Sequence, residues 1–497
     1  MRARLLIPAE VRRVLDTLAA RGYAAHIVGG PVRDLLMGQP PKDWDVATAA
    51  PPEVVRLAFP RTVPTGIKHG TVTVLPDDRR ADDRRAGDRQ VGDRQVEVTT
   101  YRVESGYADF RHPDQVIFVR TLREDLSRRD FTINAMALDR LGRLYDYFGG
   151  RSDLAARLIR AVGDPVERFS EDALRMMRAI RFTAQLSFDI APTTFAAVKE
   201  KNALLEHVSA ERIRDEFSKL LVSDQPARGL EMLRQTGLLA RFIPELLDGV
   251  GFEQNEHHAY SVWEHEVIAA ATVPPKLHLR LAALLHDVAK PACLSVEGGD
   301  RHFFDHERVG AKMAGAILRR LKYDNTITNQ VVHLIRHHMA LHYNSNMKDP
   351  AIRRLIHRVG LEYMPDLLEL RRADRAASGT KPGPVSKGTL RLLARIENVL
   401  AEDAAFGLKD LAIDGNDVMR ATGLGPGPHI GRVLKVLLDA VLEDPSLNTR
   451  EQLEAMARAE AGRGDAGREP GESVRRDRER EGAPPAGPTP EEEEEEP

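Results

Sequence analysis

Apolar positions recur along the first 150 residues in two periods, and the switches between them mark the elements. Val11, Val14, Leu15 and Leu18 fall at helical spacing within Pro8 to Arg21, which predicts a leading helix with its apolar stripe against a sheet. The run from Tyr23 to Val28 opens that sheet. Gly29 and Gly30 then permit a tight turn, and Pro31 suits the first position of a short helix. Another helix start is read at Ala50-Pro51-Pro52-Glu53, while Thr71 to Leu75 and Val96 to Arg102 are strands rich in β-branched residues. Between those strands, residues 77–96 repeat a five-residue unit with drift (DDRRA DDRRA GDRQV GDRQV) in which acids and bases cancel. Such a segment is expected to lengthen a turn as a mobile extension, and no role is assigned to it. After Gly150 the pattern becomes helical. From about Ala459 the composition shifts to Gly, Pro, Arg and Glu and ends in six glutamates before Pro497, which predicts a disordered tail.

Candidate chemistry gathers at the turn. Free amides at the helix start after Gly29 and Gly30 would face a phosphate. Asp43 and Asp45 stand two apart, so on a strand both carboxylates project from one face and suit a divalent cation between them. Downstream, Arg128, Arg129 and Asp130 form a guanidinium fork beside an acid at an element boundary. The stretch 105–116 is polar and turn-rich, as a flexible loop over a site would be. Further on, Ser170 is placed as a helix cap with Glu171 and Asp172 in the first turn, and Arg175, Arg178 and Arg181 follow on one face, opposite Ala173, Met176, Met177 and Ile180.

These runs, IVGGPVRDLLMGQPPKDWD, RRDFTINA and EDALRMMR, resemble the class II nucleotidyltransferase family that contains CCA-adding enzymes and bacterial poly(A) polymerases. The resemblance spans about residues 23–450, interrupted by the 77–96 repeat. It implies an α/β head with a small mixed β-sheet over 1–150 and an all-α neck over 151–250. Asp43 and Asp45 would bind Mg²⁺, with Glu97 as a third carboxylate. Gly29, Gly30, Arg33, Arg128, Arg129 and Asp130 would contact ribose and triphosphate. Asp172 and Arg175 would read the incoming base, and Arg178 and Arg181 would face the phosphates. The implied partners are tRNA, CTP and ATP. A poly(A) polymerase, or an enzyme adding only CC or only A, remains open as an alternative.

A second constellation follows. His257, His258 and His265, then His286-Asp287, His306, His337-His338 and Asp374 form clusters of imidazole and carboxylate suited to a first-row divalent metal or Mg²⁺. The order H…HD…D resembles the HD phosphohydrolase superfamily, with His265, His286, Asp287 and Asp374 as the best four ligands. His306 and His337 or His338 would allow a second metal. That resemblance implies an all-α HD domain over 251–400 and a helical tail domain over 401–458. A rival from another class follows from it, a metal-dependent phosphohydrolase whose head merely holds RNA. Beyond the HD region, Gly423, Gly425, Gly427 and Gly431 would permit close approach to RNA phosphate, though a plain helix connection serves equally.

Composition narrows the setting. At 497 residues with 42% hydrophobic content the chain can bury several cores. A net charge of -3 excludes coating of nucleic acid by bulk charge, so RNA contacts must be patterned. The single cysteine, Cys293, excludes an internal disulfide framework, and no signal-like or membrane-spanning apolar run is present, which gives a cytoplasmic expectation. Oligomeric state is not legible.

Overall fold

The computed structural model describes residues 7–66, 70–75, 95–105, 115–254, 258–341, 347–380, 387–401 and 406–465. Most of the 77–96 repeat, the tip of the 105–116 loop, His257 and the last 32 residues lie outside these.

Helix α1 (Ala9–Ala20) leads into β1 (Ala25–Val28), α2 (Gly30–Leu36), β2 (Asp45–Thr48) and α3 (Pro52–Ala58). Strands β3 (Thr62–Gly66), β4 (Thr71–Val74) and β5 (Val96–Thr100) follow, then a two-stranded ribbon of β6 (Arg102–Ser105) and β7 (Gln115–Phe118). Helix α4 (Leu122–Ser127), β8 (Met136–Leu138) and β9 (Leu144–Asp146) complete the head. Its sheet has the order β3-β4-β5-β2-β1-β8-β9 and is mixed, because β2 and β5 run parallel while the other neighbours are antiparallel. Period-two alternation divides the faces. Ile27, Val46, Val72, Val74, Val96 and Val98 pack with Val11, Val14, Leu15 and Leu18 of α1 and Val55 of α3 in one core. The alternate residues, Val28, Ala47 and Asp45 among them, face the other way.

The predicted helical region begins with α5 (Gly150–Ala155), β10 (Leu158–Ile159), α6 (Pro165–Glu171) and α7 (Leu174–Leu186). One continuous helix was expected across EDALR; the chain instead breaks there. Asp172 is extended (φ -137°), and its carboxylate accepts from the Leu174 amide at 3.1 Å, restarting the helix. Ser170 is consequently not a cap: it lies inside α6 and donates its hydroxyl to the Val166 carbonyl. Strand β11 (Asp189–Ile190), α8 (Pro192–Lys201), α9 (Ala210–Leu221) and α10 (Pro226–Thr236) follow.

Next come α11 (Val262–Thr272), α12 (Leu277–Leu285), the hairpin β12 (Ser295–Glu297) and β13 (Asp300–His302), α13 (His306–Arg320), α14 (Asn325–His337), α15 (Asp349–Val359) and α16 (Met364–Ala377). The last elements are α17 (Lys387–Ala401), α18 (Gly415–Thr422), α19 (Pro428–Glu443) and α20 (Arg450–Asp465). The chain forms two compact units, 1–341 with 365–386, and 342–364 with 387–497. The stretch expected as one domain over 251–400 therefore contributes to both. The second unit has its own core of Val418, Leu437, Leu438, Val441, Leu442 and Leu453. Gly423, with φ 74°, caps α18 in the left-handed conformation, and Gly431 sits within α19. Helix α20 runs past Ala459 to Asp465, so the expected start of the tail falls inside a helix.

Candidate active site and metal centre

Gly29 sits at φ 77°, ψ -138°, open to glycine alone, and ends β1 so that α2 begins at once with Pro31 in its first turn. A side chain there would come within 3.0 Å of Nη1 of Arg129 and 3.7 Å of Oδ2 of Asp45, so the glycine keeps space between a guanidinium and a carboxylate. Asp45 opens β2, and parallel pairing places Glu97 of β5 directly opposite it. Asp43 is exposed on the bend before β2, not on the strand, yet its charge reaches Asp45. Burial pushes the Asp45 carboxyl up to about 6; Arg129 opposes this, while Glu97 and Asp43 add to it. Three carboxylates with mutual repulsion and only oxygen donors fit a hard divalent cation.

The arginines are held by a buried frame. Asp125, fully buried in the first turn of α4, accepts from Arg128 (Nη2 3.0 Å, Nε 3.3 Å), from Arg129 (Nη2 3.3 Å) and from the Arg102 amide at 3.4 Å. Arg128 also donates to the Arg102 carbonyl, so the fork is fastened to the root of the β6–β7 ribbon. Asp130 accepts from Arg178 at 2.8 and 2.6 Å and from Asn134 at 3.2 Å. Burial would raise its carboxyl, but Arg178 outweighs this and holds it down at about 2. Arg33 donates to Asn134 at 2.9 Å, pairs with Asp34 and lies over the Phe182 ring.

The arginines of α7 do not form a free stripe. Arg175 is buried and donates to the Glu171 carboxylate and to the Arg168 and Arg128 carbonyls. Arg181 is buried against Glu216 of α9, and Arg178 is spent on Asp130. Of the three arginines expected on one face, Arg175 is held against Glu171 of α6 and Arg181 against Glu216 of α9. Asp172 is reached by Arg212 of α9 at 2.9 Å. Asp125, Asn134, Arg212 and Glu216 were missed from sequence because their partners lie between 3 and 101 residues away and no local period marks them.

The second constellation closes into one centre. His265 lies on α11, His286 caps α12 with Asp287 beside it, His306 begins α13, His338 follows α14 and Asp374 lies on α16. Two buried triads result: His265, His286 and Asp374, and Asp287, His306 and His338. Asp287 spans them. Its Oδ2 is 3.4 Å from His265 and 3.3 Å from His286, and its Oδ1 is 3.4 Å from His306 and 3.7 Å from His338. His286, His306 and His338 donate Nδ1–H to the carbonyls of Ala283, Phe303 and Ile335, which turns each Nε2 lone pair inward. The Nε2 atoms of His306 and His338 meet lone pair to lone pair at 3.2 Å, a repulsion that a cation relieves, and those of His265 and His286 lie 3.1 Å apart. Of the adjacent pair it is His338 that enters the cluster, while His337 stays half-buried outside the triads. Periodicity could have decided this: Thr328, Val331, Leu334, Ile335 and His338 share the buried stripe of α14. Lys290, one turn on from Asp287, is buried and donates to it at 2.6 Å and to Gln254 at 2.6 Å. His258 packs edge-on against the His265 ring, outside both triads.

Known proteins sharing this sequence agree with the head and extend past it. The Poly A polymerase head domain family matches residues 25–160, and tRNA nucleotidyltransferase domain 2 matches residues 304–457. The CCA-adding enzyme of Lactiplantibacillus plantarum is 34% identical over 455 residues, 91% of this chain and 97% of that protein. The chain belongs to the CCA-adding enzyme family. A second member, the CCA-adding enzyme of Streptococcus suis, is 33% identical over 452 residues, 89% of this chain and 94% of its own. Among solved structures, the Bacillus stearothermophilus CCA-adding enzyme in complex with CTP superposes with a TM-score of 0.65 at 32% identity, covering 92% of this chain and 98% of that one. The Thermotoga maritima CCA-adding enzyme complexed with tRNA shares the fold, with a TM-score of 0.58 at 19% identity. Among the described residues no helix is long and apolar enough to cross a membrane.

Proposed function

We propose that this chain adds C, C and A to the 3′ end of tRNA, taking CTP and ATP without a nucleic-acid template. The observation that carries the reading is the meeting of Asp45, Glu97 and Arg129 at Gly29, within a chain similar over nine-tenths of its length to CCA-adding enzymes. In the reaction the tRNA 3′-hydroxyl attacks the α-phosphate, the bond to the β-phosphate breaks, and pyrophosphate leaves. Asp43 and Asp45, with Glu97 beside them, would hold the divalent cation, Mg²⁺ by its oxygen donors, which lowers the charge on the phosphates and the pKa of the attacking hydroxyl. Arg129 and Arg128 reach the triphosphate from the Asp125 frame, and the amides after Gly29 lie at the start of α2 for the same anion. Asp172 accepts from an exocyclic amine, which C and A carry and U does not, and Arg175, shared with Glu171 in this structure, is the donor proposed for the ring. Asp43→Ala is expected to abolish nucleotide addition while tRNA binding persists; measurable addition by a folded variant contradicts the assignment.

A second reading rests on a separate observation, the two triads bridged by Asp287. We infer an HD-type phosphohydrolase centre in which His265, His286, Asp287, His306, His338 and Asp374 would hold two cations. Such a pair supplies a bound water acidic enough to attack a phosphoester. A terminal or 2′,3′-cyclic phosphate on a damaged RNA 3′ end is the substrate that suits a partner of the head. Phosphate release that depends on added divalent metal, and disappears in Asp287→Asn, tests it; release that survives this substitution overturns it.

A further inference from the structure

Asp172 is a half-buried carboxylate held from two sides. It stands in the break between α6 and α7, not in a helix, and only 19% of its side chain is exposed. Oδ1 accepts from the Leu174 amide at 3.1 Å and from Nη2 of Arg212 at 3.2 Å, and Oδ2 accepts from the same nitrogen at 2.9 Å. One guanidinium nitrogen thus straddles the carboxylate and fixes its plane. The other terminal nitrogen of Arg212, Nη1, is buried and has no partner among the described residues. One turn further along α9, Glu216 takes Arg181, so the same helix fixes the reading helix α7 at a second point.

We propose that Arg212 is a specificity-determining positioning residue: it orients the Asp172 carboxylate so that one lone pair faces the exocyclic amine of the incoming cytosine or adenine. The inference rests on the base-reading role given to Asp172 above. Oδ1 is occupied by two donors, so Oδ2 is the oxygen with capacity left for the base amine. Uracil presents a carbonyl at that place, and a carboxylate of fixed plane rejects it by lone-pair repulsion; a carboxylate free to rotate does not. Arg212 acts through Asp172, the carboxylate it holds.

The test compares kcat/KM for CTP and UTP on a tRNA transcript ending before CCA, using the full chain with Arg212→Gln, Arg212→Lys, Asp172→Asn and the double variant Arg212→Gln/Asp172→Asn. The ratio of CTP to UTP is expected to fall about tenfold or more in Arg212→Gln, in line with what one oriented polar contact contributes to base discrimination. Arg212→Lys keeps the charge without the planar fork and is expected to recover part of it. Arg212→Gln is expected to change nothing further in the Asp172→Asn background, since the two act as one unit. A ratio kept within about twofold while both rates fall together, or a full additional loss in the double variant, overturns the proposal. Should Arg212→Gln fail to fold by near-UV circular dichroism, Arg212→Lys carries the same comparison, with an unchanged ratio as the contrary result. Wild-type enzyme that takes UTP as readily as CTP overturns the base-reading role of Asp172 itself, which is a distinguishable failure.

Discussion

The two candidate centres hold cations by opposite designs. In the head, the candidate donors are carboxylates: Glu97 on β5 and Asp43 on the bend before β2 are exposed, and Asp45 at the start of β2 is half-buried beside a glycine that leaves space. In the helical region, six ligands from five helical segments are all buried, four of them imidazoles, and three have Nδ1 tied to a carbonyl. Oxygen donors with room for water suit Mg²⁺, which keeps part of its hydration shell and exchanges with each nucleotide. A dry nitrogen-rich cage suits a transition metal that stays. By donor chemistry the head centre suits an exchanging cation and the histidine centre a resident one.

The largest effect that separates them comes from Asp45→Asn. It is expected to lower nucleotide addition on the order of 10³-fold or more, as for loss of a group that holds the transition-state charge, while metal bound in the histidine centre, read by elemental analysis, is unchanged. A joint loss would mean that the centres are not independent. The reciprocal change, Asp287→Asn, is expected to empty the buried centre and to leave addition within about twofold. Because it also unpairs buried Lys290, it should cost about 3 kcal/mol of unfolding stability, which denaturant titration reads.

A smaller effect is expected at the frame behind the arginines. Asp125→Asn removes the charge that Arg128 and Arg129 share, and KM for CTP and ATP should rise together by about tenfold with their ratio preserved. A change in the ratio would place Asp125 in base reading instead. The smallest effect is in pH. A carboxyl raised from 3.8 to about 6 binds a proton more tightly folded than unfolded, so the metal-free head loses stability as pH rises through that window. Cation binding requires the ionised form. Thermal protection by Mg²⁺, measured in the Asp287→Asn background, should therefore grow from pH 5 to about 6.5 and level off above it. Protection that falls over this range would contradict Asp45 as a ligand.

The same contrast explains what was legible in sequence. The glycine turn, Asp45 and the Arg128–Asp130 run were placed by local geometry, as a turn, a strand start and an element boundary, whereas Asp43 fell on the bend before β2 and not on its face. The histidine centre was legible by residue type, but choosing His338 over His337 required the helical phase of α14, which the adjacent pair conceals. The break at Asp172 was not legible, because Glu171, Ala173, Leu174 and Arg175 are good helix formers and an Asp in a first turn is ordinary, so only the extended backbone at Asp172 marks the break. Asp125, Arg212 and Glu216 were invisible for another reason. Each is an ordinary charged residue in its own helix, and only the packing of α4 and α9 shows what each holds.

The central claim is tested most directly by incubating the purified full chain and Mg²⁺ with tRNA transcripts that end before CCA, after C or after CC. Each is offered CTP, ATP or both, and products are resolved to the single nucleotide. The account predicts that every transcript is completed to CCA and extended no further. A long ladder of A, addition that stops at CC, or no addition at all would contradict it.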